Sequence, residues 1–272
     1  MSNFRPNPII SLCLWLVAAF AAIWTGPVFL PIAGSTVSYA ALLWKLLGAS
    51  LFVFVNLALL RRAPGGSVLG LRPSGRTFGL LVLGALIGAS LVGLWLAAFH
   101  LLVPFRLVPG AITAPELLLS LCIYLSGALL EELAFRGHAL IRLRERYGTI
   151  IAALLVSLAF GVLHLPGMTG VNAIKIIALT GLSSLLFCLA YLLSGSLWAA
   201  VGLHAGMNFM LHSVLGAGGG QGPSLLMPAY AQSAPPTYDG AFWSLMFVQL
   251  VFAVGFLLAW PRRPAVRPLP VR

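Results

Sequence analysis

The sequence predicts an all-α fold, a polytopic bundle of about eight transmembrane helices with the N- and C-termini in the cytoplasm. Hydrophobic residues make up 60% of the 272 residues and charged residues 8%, whereas about a quarter of the residues in a soluble domain are charged. Apolar runs of roughly 20 residues, enough to cross about 30 Å of hydrocarbon, recur along the chain. The arginines cluster between these runs, and an even number of crossings puts nearly all of the clusters on one face, as the positive-inside rule requires.

The whole chain, residues 1–272, is predicted to be a single integral membrane domain. Its parts are an N-terminal region of three spans at 1–110, a core of helices at 115–215, a last transmembrane helix at 241–260 and a basic, proline-rich tail at 261–272. The net charge of +11 comes from the clusters that orient the helices. We therefore expect the lipid bilayer, and no nucleic acid, as a partner; the sequence carries no prediction of an oligomeric state.

The first three spans are predicted at 8–32, 39–60 and 78–103. The first apolar run is longer than the core of a signal peptide, which has about 7 to 15 residues, so we expect an uncleaved helix. The third span contains three glycines at spacings that let another helix approach closely: Gly84, Gly88 and Gly93.

Helix four is predicted to begin at Pro115 and to continue into a basic segment near Arg146, and a tight turn follows at Tyr147 and Gly148. The remaining spans are predicted at 149–165, 172–193, 196–215 and 241–260. Two connecting segments are predicted to form a turn and a loop without secondary structure, at 104–111 and 216–240 respectively.

Several polar or reactive residues in the apolar segments have ordinary structural explanations. Lys45 either snorkels to the interface or lines the interior of the bundle. His100 is expected to be a packing or interfacial residue, and Glu116 a helix-start residue at the positive end of the helix dipole. The cysteines are odd in number and lie inside apolar runs, so we expect buried small side chains and no disulfides: Cys13, Cys122 and Cys188.

Two adjacent glutamates form the first candidate motif. The chain has 5 acidic residues, and Glu131 and Glu132 directly follow an apolar run, where a carboxylate is costly unless it has a partner. Arg136 lies four residues after Glu132, the favourable orientation for an ion pair on one helix face. Glu131 lies about 100° further round the helix and is left unpaired. Such a carboxylate suits proton transfer; alternatively, the glutamates lock two helices together.

Phe160 and His164 form the second motif, on one face of helix five. Glu131 lies about as many residues before the predicted turn as His164 lies after it. Antiparallel packing of helices four and five would therefore bring the two side chains to similar depth. A lone histidine in a membrane is often only hydrogen-bonded to a neighbour, but the matched depth favours shared chemistry.

His204 and Asn208 form the third motif and share a helix face. Three small residues beside them permit close helix approach: Gly202, Ala205 and Gly206. Two hydrogen-bonding side chains on one face of a membrane helix suit the stabilisation of a developing oxyanion. His212 continues this face and is expected to support the site or to lie at the interface.

The motifs Glu-Glu-x-x-x-Arg, Phe-x-x-x-His and His-x-x-x-Asn, in this order on successive helices, resemble those of the CPBP family, the CAAX proteases and bacteriocin-processing enzymes. The resemblance covers about 115–215 and implies an intramembrane glutamic endopeptidase. Such an enzyme hydrolyses membrane-anchored protein or peptide substrates with an activated water and no covalent intermediate, in some members near the substrate C-terminus. We expect no cofactor, and a bacterial or archaeal cell membrane as the location.

The resemblance also implies a role for each motif residue. Glu131 with His164 would activate the water, and His204 with Asn208 would stabilise the oxyanion. Three residues would support the site: Glu132, Arg136 and Phe160.

Two alternatives stay open at this point. Glu131, His164 and His204 could supply three ligands of an open metal site. A protein without protease activity, a transporter or an immunity-type protein, could use the same cluster as a proton relay or binding site. Other intramembrane protease classes are excluded, because Asp239 is the only aspartate and the chain contains neither His-Glu-x-x-His nor Gly-x-Ser-x-Gly.

Overall fold

The computed structural model describes residues 15, 17, 18, 20, 21, 39–60, 69–166, 169–217, 223–230 and 238–259. This part of the chain is mostly helical. The elements are α1 (Tyr39–Leu60), α2 (Gly75–Leu102), β1 (Phe105–Pro109), α3 (Ala114–Ala134), α4 (Leu140–Leu163), α5 (Gly170–Ser194), α6 (Leu197–Phe209), β2 (Leu226–Tyr230) and α7 (Tyr238–Leu258). Turns of π-helix follow α3 and α6, at Phe135–Ala139 and Met210–Val214.

Parts of the predicted organisation lie outside the described residues. Of the first predicted span, 8–32, five residues are described, and all five are helical. The basic tail 261–272 and Cys13 are not described. Cys188 is buried as a free thiol, as predicted. The prediction is wrong for Cys122, which is exposed because it lies on a side of α3 that packs against neither α1 nor α6.

Four stretches are long and apolar enough to cross a membrane: Gly75–Leu102, Ala114–Leu163, Gly170–Ser194 and Asp239–Leu258. A shorter apolar helix covers Leu42–Asn56. The prediction of an integral membrane protein is therefore supported by helix length as well as by composition.

The second of these stretches contains a reversal of chain direction. Gly148 leaves helical geometry with φ 79° and ψ 171°, a conformation that favours glycine because it has no Cβ. The rings of Phe135 and Phe160, equally far from this turn on either side, lie 5.1 Å apart. A continuous helix would separate them by roughly 37 Å. The tight turn predicted at Tyr147 and Gly148 is therefore confirmed.

Glycines bring α2 and α6 into close contact. A Cβ at Gly84 would meet the carbonyl oxygen of Ala199, and one at Gly88 that of Leu203. From the other side, Gly202 and Gly206 lie against the backbone of Leu81 and Ala85. The close approach predicted for these glycines is confirmed, but Gly93 does not take part: no described atom lies within 4 Å of a Cβ built there.

Contacts between the helices fix their relative directions. Residue numbers rise together between α2 and α6, so these helices are parallel. They also rise together from Gly48 against Leu130 to Asn56 against Leu133, so α1 is parallel to α3. In three other pairs the residue numbers rise in one helix as they fall in its neighbour, so the helices are antiparallel. These pairs are α3 with α6, the second part of α4 with α5, and α2 with α7. With the turn at Gly148 included, direction alternates from each helix to the next.

A small sheet corrects two predictions about the connecting segments. β1 and β2 pair antiparallel, with Phe105 opposite Tyr230 and Pro109 opposite Leu226. The predictions for 104–111 and 216–240, which contained no strands, are therefore wrong. The strands escape a sequence pattern because each has only five residues and pairs with a segment far away in sequence. His100 is exposed, accepts a hydrogen bond from the backbone N–H of Phe105 at 3.3 Å and contacts the Phe105 ring, which agrees with the prediction of a packing or interfacial residue.

The start of α3 is as predicted. The carboxylate of Glu116 accepts hydrogen bonds from the backbone N–H and the hydroxyl of Thr113, at 2.8 and 2.7 Å. This is a capping box, which satisfies an N–H group that the first turn of a helix leaves unpaired. Glu116 is therefore a helix-start residue that lies apart from the candidate site.

Candidate active site

The first motif places a fully buried ion pair at the junction of α3 and the π turn. The Nε of Arg136 lies 3.2 Å from Oε2 of Glu132, and both side chains are 0% exposed. The guanidinium also donates from Nη2 to the carbonyl and hydroxyl oxygens of Ser184, at 2.7 and 2.6 Å. Burying two charges is costly unless further hydrogen bonds compensate; Ser184 supplies two at Nη2, whereas Nη1 has no hydrogen-bond partner among the described residues. The predicted Glu132–Arg136 pair is confirmed.

Aromatic rings enclose this guanidinium. Its central carbon lies 5.1 Å from the centre of the Phe160 ring and 5.3 Å from that of Phe187. Faces of aromatic rings attract cations, more strongly when water is excluded. The phenylalanine of the second motif therefore supports the arginine of the first.

His204 connects the two glutamates. Its Nδ1 lies 3.0 Å from Oε1 of Glu132, and its Nε2 lies 3.8 Å from Oε2 of Glu131. The imidazole is stacked on Phe187, with centroids 4.5 Å apart and planes 12° apart. A carboxylate only accepts hydrogen bonds, so Nδ1 carries a proton and donates a hydrogen bond to Glu132. Glu132 and Phe187 thus fix the ring so that Nε2 faces Glu131.

Glu131 differs from its neighbour in its surroundings. Its side chain is 13% exposed, and Oε2 makes no hydrogen bond within the described part of the chain. The structure places it in the angle between α1 and α6, because Leu130 of α3 packs against Gly48 of α1 and Glu132 contacts His204 of α6. The carboxylate is therefore partly exposed, although Oε2 itself is buried, and its described charged contact is His204 at 3.8 Å.

His164 ends α4 and is half-buried. Its Nδ1 lies 2.8 Å from the carbonyl oxygen of Phe160, so Nδ1 donates and Nε2 is the basic nitrogen of the neutral ring. The Phe160 ring contacts both imidazoles, with its centroid 4.7 Å from that of His164 and 5.9 Å from that of His204. Among the described residues, no ion pair joins His164 to Glu131, so the pairing of these two residues stays a prediction.

Asn208 lies one turn after His204 on α6 and is half-buried. Its amide makes no hydrogen bond with any residue that the structure describes. His212, further along, stacks on Tyr124 of α3 with centroids 5.9 Å apart. His212 therefore packs between helices outside the Glu131–His204 cluster.

A comparison with protein families identifies the segment that carries these residues. Residues 113–210 match the family model described as Type II CAAX prenyl endopeptidase Rce1-like. The resemblance to the CPBP family is confirmed. The matched segment covers just over a third of the 272 residues and includes all seven motif residues. No curated protein matches the chain.

A residue outside the Rce1-like segment holds the first motif in shape. The chain leaves helical geometry at Gly137, where ψ is −124°. Asn56 of α1, fully buried, accepts from the backbone N–H of His138 at 2.7 Å and donates to the carbonyl of Leu133 at 3.2 Å. A Cβ at Gly137 would collide with Asn56. Asn56 thus pairs backbone groups that the helix break would leave unsatisfied.

Sequence analysis missed Asn56, Ser184 and Phe187. An asparagine inside a predicted membrane span was a usable signal for Asn56, because buried amides require hydrogen-bond partners. Ser184 and Phe187 are ordinary residues of an apolar helix, and the sequence offers no signal that sets them apart.

The metal alternative concerned Glu131, His164 and His204. In the part of the chain that the structure describes, no three histidine, cysteine, aspartate or glutamate side chains are grouped as ligands of one ion. The described contacts of His164 are to Phe160, through Nδ1 and through the ring.

Proposed function

We propose that the protein is an intramembrane endopeptidase of the glutamic type, which hydrolyses membrane-anchored proteins or peptides near their C-termini. The observation that carries the proposal is the open carboxylate of Glu131 beside a histidine fixed by Glu132 and Arg136. This cluster lies in a segment that matches an endopeptidase family. The family match supports a protease, and the contacts support the glutamic mechanism.

Glu131 acts as the general base in this proposal. A water held by its unpaired Oε2 and by Nε2 of His164 gives its proton to Glu131 while its oxygen attacks the peptide carbonyl. The carbon–nitrogen bond of the resulting tetrahedral intermediate then breaks. Glu131 returns the proton to the leaving nitrogen, so the enzyme ends in its starting state.

Two side chains of α6 receive the negative charge that develops on the carbonyl oxygen. In this proposal His204 is an imidazolium, which carries a proton on Nε2, beside Glu131, as well as on Nδ1, and Asn208 follows it one helical turn later with a free amide. Donors placed before the reaction stabilise an oxyanion strongly in a site with little water. Glu132, Arg136 and Phe160 hold these groups in place.

We also propose a multi-pass topology with about eight crossings and cytoplasmic termini, in a bacterial or archaeal membrane. The alternation of helix direction from α1 to α7, with the reversal at Gly148, supports seven crossings in the described residues. The helical residues between 15 and 21 support one more crossing before them.

The test uses purified protein in liposomes with a library of membrane-anchored peptides. We expect the wild type to cleave library members, and Glu131→Gln and His164→Ala to lose cleavage while staying folded. Glu145→Gln is the matched control, because Glu145 is a partly exposed carboxylate paired with Arg142 at 2.8 Å; it should cleave normally. Folded wild type that cleaves no peptide, yet moves a solute or binds a protein partner, would support the transporter or immunity alternative instead.

A further inference from the structure

Lys45 lies in the interior of the helix bundle. A Cβ built at Gly127 of α3 would lie 2.8 Å from the Nζ of Lys45 and 3.2 Å from its Cδ. The lysine chain therefore lies across the face of α3 that Gly127 leaves bare. Lys45 is half-buried and packs against α3, which favours the alternative in which it lines the interior of the bundle. No described residue forms a hydrogen bond or an ion pair with the ammonium group.

The ammonium lies close to the proposed catalytic base. Gly127 is one helical turn before Glu131 on the same side of α3, about 6 Å along the axis. The contact of His204 with the glutamates and the stacking of His212 on Tyr124 set the register between α3 and α6. In that register Asn208 lies at the level of Gly127. Lys45 from α1 and Asn208 from α6 therefore lie at one level, about one helical turn from Glu131, in the angle between these two helices (the crevice).

A cation inside the bilayer requires an anionic partner, because its burial without one is costly. Glu131, one turn away, does not form an ion pair with it among the described contacts. The remaining source of negative charge is a ligand, and the ligand of this crevice is the substrate. The negative charge of a substrate peptide that does not depend on its sequence is that of the free C-terminal carboxylate.

We propose that Lys45 binds the free C-terminal carboxylate of the substrate. The inference rests on the proposed protease function and deepens it. An axial separation of about 6 Å corresponds to about two extended residues at about 3.4 Å each. Lys45 thereby sets the distance between the end of the substrate and the bond that Glu131 attacks. A lipid phosphate has similar chemistry, and the experiment separates the two sources.

The first experiment compares peptides of identical sequence that end in a free acid or in an amide, in phosphatidylcholine vesicles. We expect kcat/KM of the wild type to be roughly tenfold or more higher for the acid, the value of one charged hydrogen bond. Equal rates for acid and amide would overturn the inference while leaving the protease function intact. Cleavage of neither form across the library would count against the proposed function itself.

Lys45→Met keeps the length of the side chain and removes its charge. We expect it to lower kcat/KM for the acid to the level of the amide and to leave the amide rate unchanged, while Lys45→Arg retains part of the preference. Lys175→Met is the control, because Lys175 is paired with Asp239, and it should keep the full preference.

Two results would overturn the assignment of Lys45. An equal loss on acid and amide would mean that the lysine acts through Glu131 or through packing. An effect of Lys45→Met that occurs only in vesicles containing phosphatidylglycerol, and for both peptides alike, would assign the ammonium to a lipid phosphate.

Discussion

Glu131 and Glu132 are neighbours in the sequence, but their surroundings differ. Glu132 belongs to a paired half of the site (Glu132, Arg136 and Ser184), in which both charges are fully buried and joined by short contacts. Glu131 belongs to an open half (Glu131, His164 and Asn208), whose side chains are partly exposed and form no described ion pair closer than the 3.8 Å contact of Glu131 with His204. His204 joins the halves.

The difference indicates that one half of the site stabilises the fold and that the other half carries out the reaction. A buried, fully paired carboxylate cannot approach a water or a peptide bond without breaking its own contacts. A partly exposed carboxylate beside a fixed imidazole can approach a water or a peptide bond without losing an ion pair. Changes in the paired half should therefore act mainly on folding, and changes in the open half mainly on the rate of cleavage.

Arg136→Met should have the largest effect on stability. It leaves Glu132 buried without its cation, which typically costs about 3–5 kcal/mol, and a lower unfolding temperature in detergent would report the loss. Arg142→Met is the matched control: Arg142 is 47% exposed and paired with Glu145, and exposed pairs contribute about 0–1 kcal/mol. Similar shifts for both variants would contradict the distinction between the two halves.

Asn208→Ala should slow cleavage and leave folding intact. Loss of one oxyanion donor lowers kcat by roughly 10²–10³-fold, with KM little changed, because the bond forms in the transition state. Steady-state kinetics in liposomes measure both constants. The exposed Asn172 offers the control Asn172→Ala, which should behave as wild type; a raised KM with normal kcat in Asn208→Ala would speak against the oxyanion role.

Asn56→Leu tests whether the hydrogen bonds of Asn56 to the backbone of the first motif position the catalytic residues. The change leaves the N–H of His138 and the carbonyl of Leu133 unpaired, at about 1–3 kcal/mol for each buried group. We expect a lower unfolding temperature and also a lower kcat at temperatures where the variant is fully folded. Asn172→Leu should change neither quantity. A normal kcat in folded Asn56→Leu would limit Asn56 to a structural role.

Chelation should have the smallest effect. In the proposed mechanism Glu131 activates water without a metal, so activity should be unchanged after treatment with EDTA and 1,10-phenanthroline. Metal analysis of the active protein checks the same point. Loss of activity on chelation, with recovery on addition of zinc, would favour the alternative in which Glu131, His164 and His204 bind an ion.

Local patterns in the sequence predicted much of the fold and part of the site. The spacing of Glu132 and Arg136 predicted their ion pair, and Gly148 between two apolar runs predicted the reversal. Both predictions depend on local features: residues close together in the sequence, or the length of an apolar run. The catalytic roles of Glu131, His164, His204 and Asn208 stay predictions.

Features that depend on distant parts of the chain could not be predicted. The pairing of β1 with β2 joins segments that are far apart in sequence, through strands too short to show a pattern. The hydrogen bonds of Arg136 to Ser184 and of Asn56 to His138 also join separate helices. Helical periodicity identifies which face of a helix is apolar, but not which residue of another helix lies opposite.

The most direct test changes each adjacent glutamate to glutamine and measures two quantities for both variants, the cleavage rate in liposomes and the unfolding temperature in detergent. We predict that Glu131→Gln loses at least about 10²–10³-fold in kcat, the loss of a general base, and unfolds at the wild-type temperature. Glu132→Gln, which leaves Arg136 buried without its anion, should unfold at a clearly lower temperature. Normal cleavage by Glu131→Gln, or unfolding temperatures lowered equally in both variants, would contradict the division of the site into a paired and an open half.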